Sequence, residues 1–156
     1  MKYSFVLLLL LILSCDSNEV PTDFSIKVDH FGEHYDSKTG IYIRNYNFKE
    51  KSVKIFLSQK QKSKIYNLYN EIDFLSFPTE FECDTLKPGG TIPSFYFEIE
   101  VTANGIIKSS GRSSKCDKKI EIEKEKKLEM FFDEITKIIE NDKAYKSLPK
   151  SDRISL

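Results

Sequence analysis

Phe95, Phe97, Ile99 and Val101 alternate with Tyr96, Glu98 and Glu100. This period of two sends every large apolar side chain to one side of an extended chain, and no helix satisfies the spacing. Asn104-Gly105 follows, a dipeptide prone to the left-handed backbone of a tight hairpin, and Ile106 and Ile107 then resume the apolar pattern. A two-residue turn would set Val101 opposite Lys108 and mix a core face with a charge. A three-residue loop, with Gly105 left-handed in a bulge, sets Val101 opposite Ile107 and Glu100 opposite Lys108. The face pattern therefore predicts the three-residue loop.

Phe24, Ile26 and Val28 alternate with Ser25 and Lys27, as in a half-buried strand. The polar, glycine-containing stretch 29–40 breaks the pattern. Residues 41–48 and 52–57 resume it as two further strands, joined by Lys49-Glu50-Lys51. Ser58 and Gln61 have the spacing of a capping box, in which each side chain satisfies an amide that the helix start leaves open. Ile65, Leu68, Tyr69 and Ile72 then mark one helical face, with Lys60, Lys62 and Lys64 in water, and the helix is predicted to stop near Asp73. A last long element covers residues 123–141, with Leu128, Phe131, Ile135 and Ile138 along one side and Phe132 and Ile139 widening the stripe. Ile120 and Ile122 alternate with Glu121 and Glu123, so strand and helix are both open at its start. The order βββ-α-ββ-α predicts an α+β fold, a mainly antiparallel sheet of about five strands with two helices packed on one face. One domain is expected over residues 23–142, with a polar tether at 15–22 before it and a loosely held polar tail at 143–156 after it.

Ahead of the tether, Lys2 precedes an uninterrupted apolar stretch at residues 5–13, followed by Ser14 and Cys15. A charged start, a short apolar core and a small residue at the cut make a secretory signal. The stretch falls short of the roughly 20 apolar residues that a membrane span needs. Ile12-Leu13-Ser14-Cys15 resembles the lipobox of bacterial lipoproteins, although Leu13 is bulkier than the residue commonest at its place. The resemblance implies removal of residues 1–14, a diacylglyceryl group on the Cys15 sulfur, and a chain held on the inner or outer membrane of a bacterial envelope. Each buried methylene contributes about 0.8 kcal/mol, and two or more acyl chains make such an anchor stable. The alternative is an ordinary cleaved signal with a chance cysteine.

The cut takes one lysine from a chain with equal numbers of acids and bases, leaving a mature charge near −1. Nucleic acid, which needs a concentrated basic face, is not an expected partner. The lysine-rich stretches around residues 49–64 and 115–127 read as solvated faces, the second interleaved with glutamates. With Cys15 lipidated, Cys83 and Cys116 remain as a pair in an oxidising compartment, where a disulfide is the default; a metal site or a redox pair is the alternative. Closing a loop of that length contributes roughly 3–4 kcal/mol in the chain-entropy model. The domain also resembles a group of small bacterial envelope domains of unknown function. That resemblance rests on Phe24-Ser25-Ile26, Leu68-Tyr69-Asn70-Glu71-Ile72-Asp73-Phe74-Leu75, Pro93-Ser94-Phe95-Tyr96, the Asn104-Gly105 turn and the terminal helix. It implies the α+β fold and no activity.

Two constellations carry possible chemistry. His30-Phe31-Gly32-Glu33-His34 fits H-x-x-E-H, the inverted zinc-protease motif, in which both imidazoles bind zinc and the glutamate activates a water. Gly32 in mid-motif and Asp36-Ser37-Lys38-Thr39-Gly40 directly after leave no room for the helix that motif needs, so exposed turn histidines are expected instead. A metal held by His30, His34 and the two late cysteines would require reduced thiols. Tyr42, Arg44 and Tyr46, with Phe48, share one face of a strand opposite Ile41 and Ile43, and aromatics with an arginine are the usual makeup of a binding surface. The plainer reading is that one strand face packs under the helices and the other is a partly wet sheet surface. Pro88-Gly89-Gly90 lacks the lysine and helix start of a phosphate loop, and with no dinucleotide fingerprint or serine elbow no cofactor is expected.

The resulting expectation is a lipid-anchored, non-catalytic module that binds a protein or glycan partner through Tyr42, Arg44 and Tyr46 or through the loop 84–92. An inhibitor or immunity protein guarding the envelope against a toxin is a narrower form of it. A zinc-dependent hydrolase using His30, Glu33 and His34 is the rival from another class.

Overall fold

The computed structural model describes residues 19–46, 49–81, 96–112 and 119–150. Strands β1 (Ser25–His30), β2 (Glu33–Asp36), β3 (Ile41–Tyr46) and β4 (Lys49–Lys54) come first, then helix α1 (Gln59–Glu71), β5 (Phe97–Ala103), β6 (Ile106–Arg112), α2 (Lys119–Glu140) and a single turn, α3 (Lys143–Lys146). All six strands form one sheet in the order β4-β3-β2-β1-β5-β6, each neighbour antiparallel. The fold is α+β, with the two main helices packed against the sheet, as the order of elements predicts.

The sixth strand is β2, which lies inside the polar stretch 29–40 where the alternation breaks and no strand is expected. It pairs with β1 through a two-residue turn in which Phe31 and Gly32 are both left-handed, at φ 46° and 74°. That conformation costs a side-chain-bearing residue about 1–2 kcal/mol, and for that reason Phe-Gly carries no turn signal. The closing pair His30↔Glu33 and the packing of the His30 and Phe31 rings, 4.7 Å apart, hold it in place.

The core lies between the sheet and the helices. Ile26 and Val28, Tyr35, Tyr42, and Phe97, Ile99 and Val101 point inward from β1, β2, β3 and β5. Helix α1 begins at the expected capping box: Ser58 Oγ accepts from the Gln61 amide, and Gln61 Oε1 accepts from the Ser58 amide at 2.8 Å. It buries Ile65, Tyr66 and Tyr69. Helix α2 takes in Ile122, so the open choice at its start resolves as helix, and Leu128, Phe131 and Ile135 lie wholly inside. Fully burying side chains of this size contributes roughly 1.5–3 kcal/mol each. On the opposite face of the sheet, none of the described side chains is buried.

The β5–β6 hairpin differs from the expected three-residue loop. Val101 pairs with Lys108 and Ala103 with Ile106, so Asn104 and Gly105 alone make the turn, both left-handed at φ 52° and 74°. The charge is tolerated because the helices do not cover the near end of β6, where Ile106 and Ile107 are exposed and Lys108 is only half-buried. The buried part of β6 is its far end, where Ser110 and Arg112 face Ile99 and Phe97.

Asp23 braces this turn from the start of the domain, accepting from the Asn104 amide at 3.0 Å and the Gly105 amide at 2.6 Å. The Gly105 hydrogen bond holds its carboxyl below the ordinary value of 3.8, against a smaller opposing effect of desolvation. A depressed folded value adds stability that is fully present above the unfolded value and vanishes as pH falls through the folded one. Asp23→Ala is therefore expected to lower the unfolding midpoint at neutral pH, with the gap to the parent closing in the acid range below 3.8. Thermal melts of both proteins across that range check it.

Candidate functional site

The two constellations that are separate in sequence meet on the helix-covered face. His30 faces Glu33 across β1 and β2, Tyr35 faces Tyr42 across β2 and β3, and the same register brings Arg44 beside Glu33. Arg44 Nε donates to Glu33 Oε1 at 2.8 Å, Nη2 donates to the Tyr42 hydroxyl at 3.3 Å, and Nη1 donates to the Pro149 carbonyl at 3.1 Å. The Tyr42 hydroxyl donates to Glu33 Oε2. Tyr145 of α3 lies under the guanidinium, 4.4 Å from ring centroid to charge centre, and meets the Tyr42 ring edge-on at 5.2 Å.

Arg44 is 5% exposed and the Glu33 side chain 19%, so this pair is largely out of water. Its geometry suits that position, since every guanidinium nitrogen and both carboxylate oxygens have partners. Burial pushes the Tyr42 hydroxyl far above the ordinary phenol range, and the Glu33 carboxylate pushes it further. Tyr42 is thus a neutral donor at physiological pH. Burial also raises Tyr145, with Arg44 opposing.

Three expectations are corrected here. The strand face read as a possible docking surface is turned inward: Tyr42 and Arg44 are buried and Tyr46 is half-buried at the end of β3. Ile41 and Ile43 take the outer face instead, because the inward side of β3 is fixed by Tyr35 on its neighbour.

The H-x-x-E-H segment is a hairpin, in keeping with the lack of room for a helix, but only one of its two histidines is the exposed residue expected. His30 points inward and packs on Phe132 of α2 at 4.9 Å, while His34 lies on the outer face with its ring bonded to Asp29. The sheet separates the two imidazoles, and Glu33 has both oxygens committed, so these residues do not form the zinc-protease site. Among the described residues no group of three His, Cys, Asp or Glu could hold a metal ion.

The tail is the third correction, because its first part is packed. Asp142 caps α3 by accepting from the Ala144 amide at 2.7 Å, and Ala144, Tyr145 and Leu148 rest on the core. The signal was available in an Asp cap followed by apolar residues three and four apart. Cys15, Cys83, Cys116 and the loop 84–92 fall outside the described residues.

Beside the ion pair, α2 and α3 stand off the sheet and leave a partly open cavity of about 140 Å³. The rings of His30, Tyr35, Tyr42, Phe132 and Tyr145 line it, with the carboxylates of Glu33 and Glu140. No described helix is long and apolar enough to cross a membrane. Compared with known proteins, the chain matches no family model and no curated sequence.

Proposed function

We propose that this chain is an exported bacterial lipoprotein, held at the cell envelope by lipid on Cys15, and that its domain is a non-catalytic binding module for a protein or glycan partner. The observation that favours binding over chemistry is the condition of Glu33. Its two oxygens are spent on Arg44 and Tyr42, so it braces the fold where a hydrolase would need it free to take a proton. With Tyr42 and Arg44 inside, the docking surface passes to the opposite face of the sheet. There Lys27, Asp29, His34, Asp36, Ile41 and Ile43 frame a shallow groove of mixed charge around an apolar strip. The address rests on the order of Lys2, the apolar stretch, Ser14 and Cys15, and the same export makes a Cys83–Cys116 bridge the expected state of the two later thiols.

Two measurements test this. Intact-mass analysis of the protein from its own envelope is expected to find Cys15 as the N-terminus bearing a diacylglyceryl group, and Cys15→Ser is expected to leave the membrane fraction. An unmodified full-length polypeptide in the soluble cell interior overturns the address. For the docking face, Lys27→Gln with Ile41→Asn changes two exposed positions without setting a new carboxylate opposite Glu100 or Asp36. The pair is expected to abolish capture of the envelope partner that the parent protein retains, and undiminished capture moves the interface elsewhere.

A further inference from the structure

We propose that the cavity between β1–β3 and the end of α2, closed by α3, binds a compact organic cation, a methylated or quaternary ammonium group. The site is independent of the lipid anchor and of the outer-face docking surface. Its volume, about 140 Å³, is close to that of a cavity known to admit benzene, about 150 Å³. That leaves room for a headgroup of about that bulk and none for a long chain.

The lining selects the charge. Tyr35, Tyr42, Phe132 and Tyr145 bring four aromatic rings to one small space, with His30 completing the wall. The face of each benzenoid ring is the negative end of its quadrupole, and several such faces around one point attract a cation with little hydration to lose. Glu33 and Glu140 are the charged residues of the lining, and neither lysine nor arginine belongs to it. Arg44 neutralises Glu33 from behind, which leaves Glu140, at the rim and bonded to the Tyr145 hydroxyl at 3.1 Å, as the carboxylate that serves a ligand.

The fold already uses this chemistry beside the cavity, since the Arg44 guanidinium rests over Tyr145 at 4.4 Å and near Tyr42 at 5.7 Å. A second organic cation on the cavity side of the same rings repeats that contact. The tyrosine hydroxyls stay neutral throughout, held up by burial and, for Tyr35, by Asp36 and Asp142 as well. The walls therefore offer rings and carboxylate, with no phenolate chemistry.

The test titrates the full chain with choline and with 3,3-dimethylbutan-1-ol, the neutral molecule of the same shape, by calorimetry and by amide chemical-shift mapping. Choline is expected to bind at least about 10-fold more tightly than the alcohol, since a desolvated cation–π contact is worth that factor or more. Shifts are expected to gather on Tyr35, Phe132, Thr136 and Tyr145. Tyr145→Leu is expected to weaken choline binding by about 10-fold. Because Tyr145 also supports Arg44, Glu140→Gln serves as the second variant. It is isosteric and exposed, and it is expected to weaken choline by about 3- to 5-fold while leaving the alcohol unchanged. Equal binding of choline and the alcohol, or no shift at the lining, overturns the site. Phosphatidylcholine vesicles in the same experiment identify the source: shifts produced by vesicles assign the site to a lipid headgroup, and shifts produced by free choline alone assign it to a soluble amine.

Discussion

Replacing Arg44 by methionine is expected to destabilise the domain by about 3–5 kcal/mol, because it strips one partner from a buried ion pair and leaves the other behind. For a domain of this size that is a drop of order 10 °C in the unfolding midpoint, and a large share of a total that rarely exceeds about 15 kcal/mol. Methionine keeps much of the side chain's length and apolar contact, so the loss isolates the charge. Glu33 would retain the Tyr42 hydroxyl as a donor, and its charge would face Tyr145 across the space the guanidinium had filled. The Pro149 carbonyl would lose its donor too, loosening the segment that follows α3. Adding Glu33→Gln should recover part of the loss, since the uncompensated charge is then gone; a double-mutant cycle by denaturant unfolding measures that coupling. Single and double variants of equal stability to the parent would show that the pair contributes nothing net.

What the sequence made legible follows from where one local rule was enough. Ser58 and Gln61 specify a helix start because both partners of the capping box lie within one turn, and the box is present as expected. The alternation of Phe97, Ile99 and Val101 specifies a strand because β5 lies between two neighbours with one face fully covered. The readings that went astray needed tertiary information. Tyr42, Arg44 and Tyr46 share a face on any reading of β3, yet both faces carry large residues, and which is covered depends on Tyr35 in the neighbouring strand. Strand β2 offers one apolar residue in four, too few for any period, and its turn relies on a left-handed phenylalanine that tertiary packing has to sustain. The register of β6 departs from the face pattern because a lysine opposite Val101 is costly only where helices cover it, and at the tip of this hairpin they do not.

Phe97→Ala is expected to cost about 3–5 kcal/mol, the range for removing a fully buried ring. Phe97 has no measurable exposure, stacks on Phe132 at 4.4 Å with ring planes 28° apart, and carries the Arg112 guanidinium at 5.7 Å. Alanine would remove the ring's transfer free energy and leave a void that the neighbouring strands, hydrogen-bonded on both sides, cannot close. Arg112 would keep Glu125 and Glu129, so its charge stays compensated and the loss is one of packing. Phe97→Leu, which refills part of the volume, should therefore recover more than half of the cost. The same ring steadies Phe132, whose other neighbours include His30 at the cavity wall, so the alanine variant should also loosen that wall. Faster amide exchange at Phe132 and Thr136 under conditions where the variant remains folded is the expected sign; exchange that rises uniformly with global stability would instead mean that Phe97 supports the core as a whole and not this wall in particular.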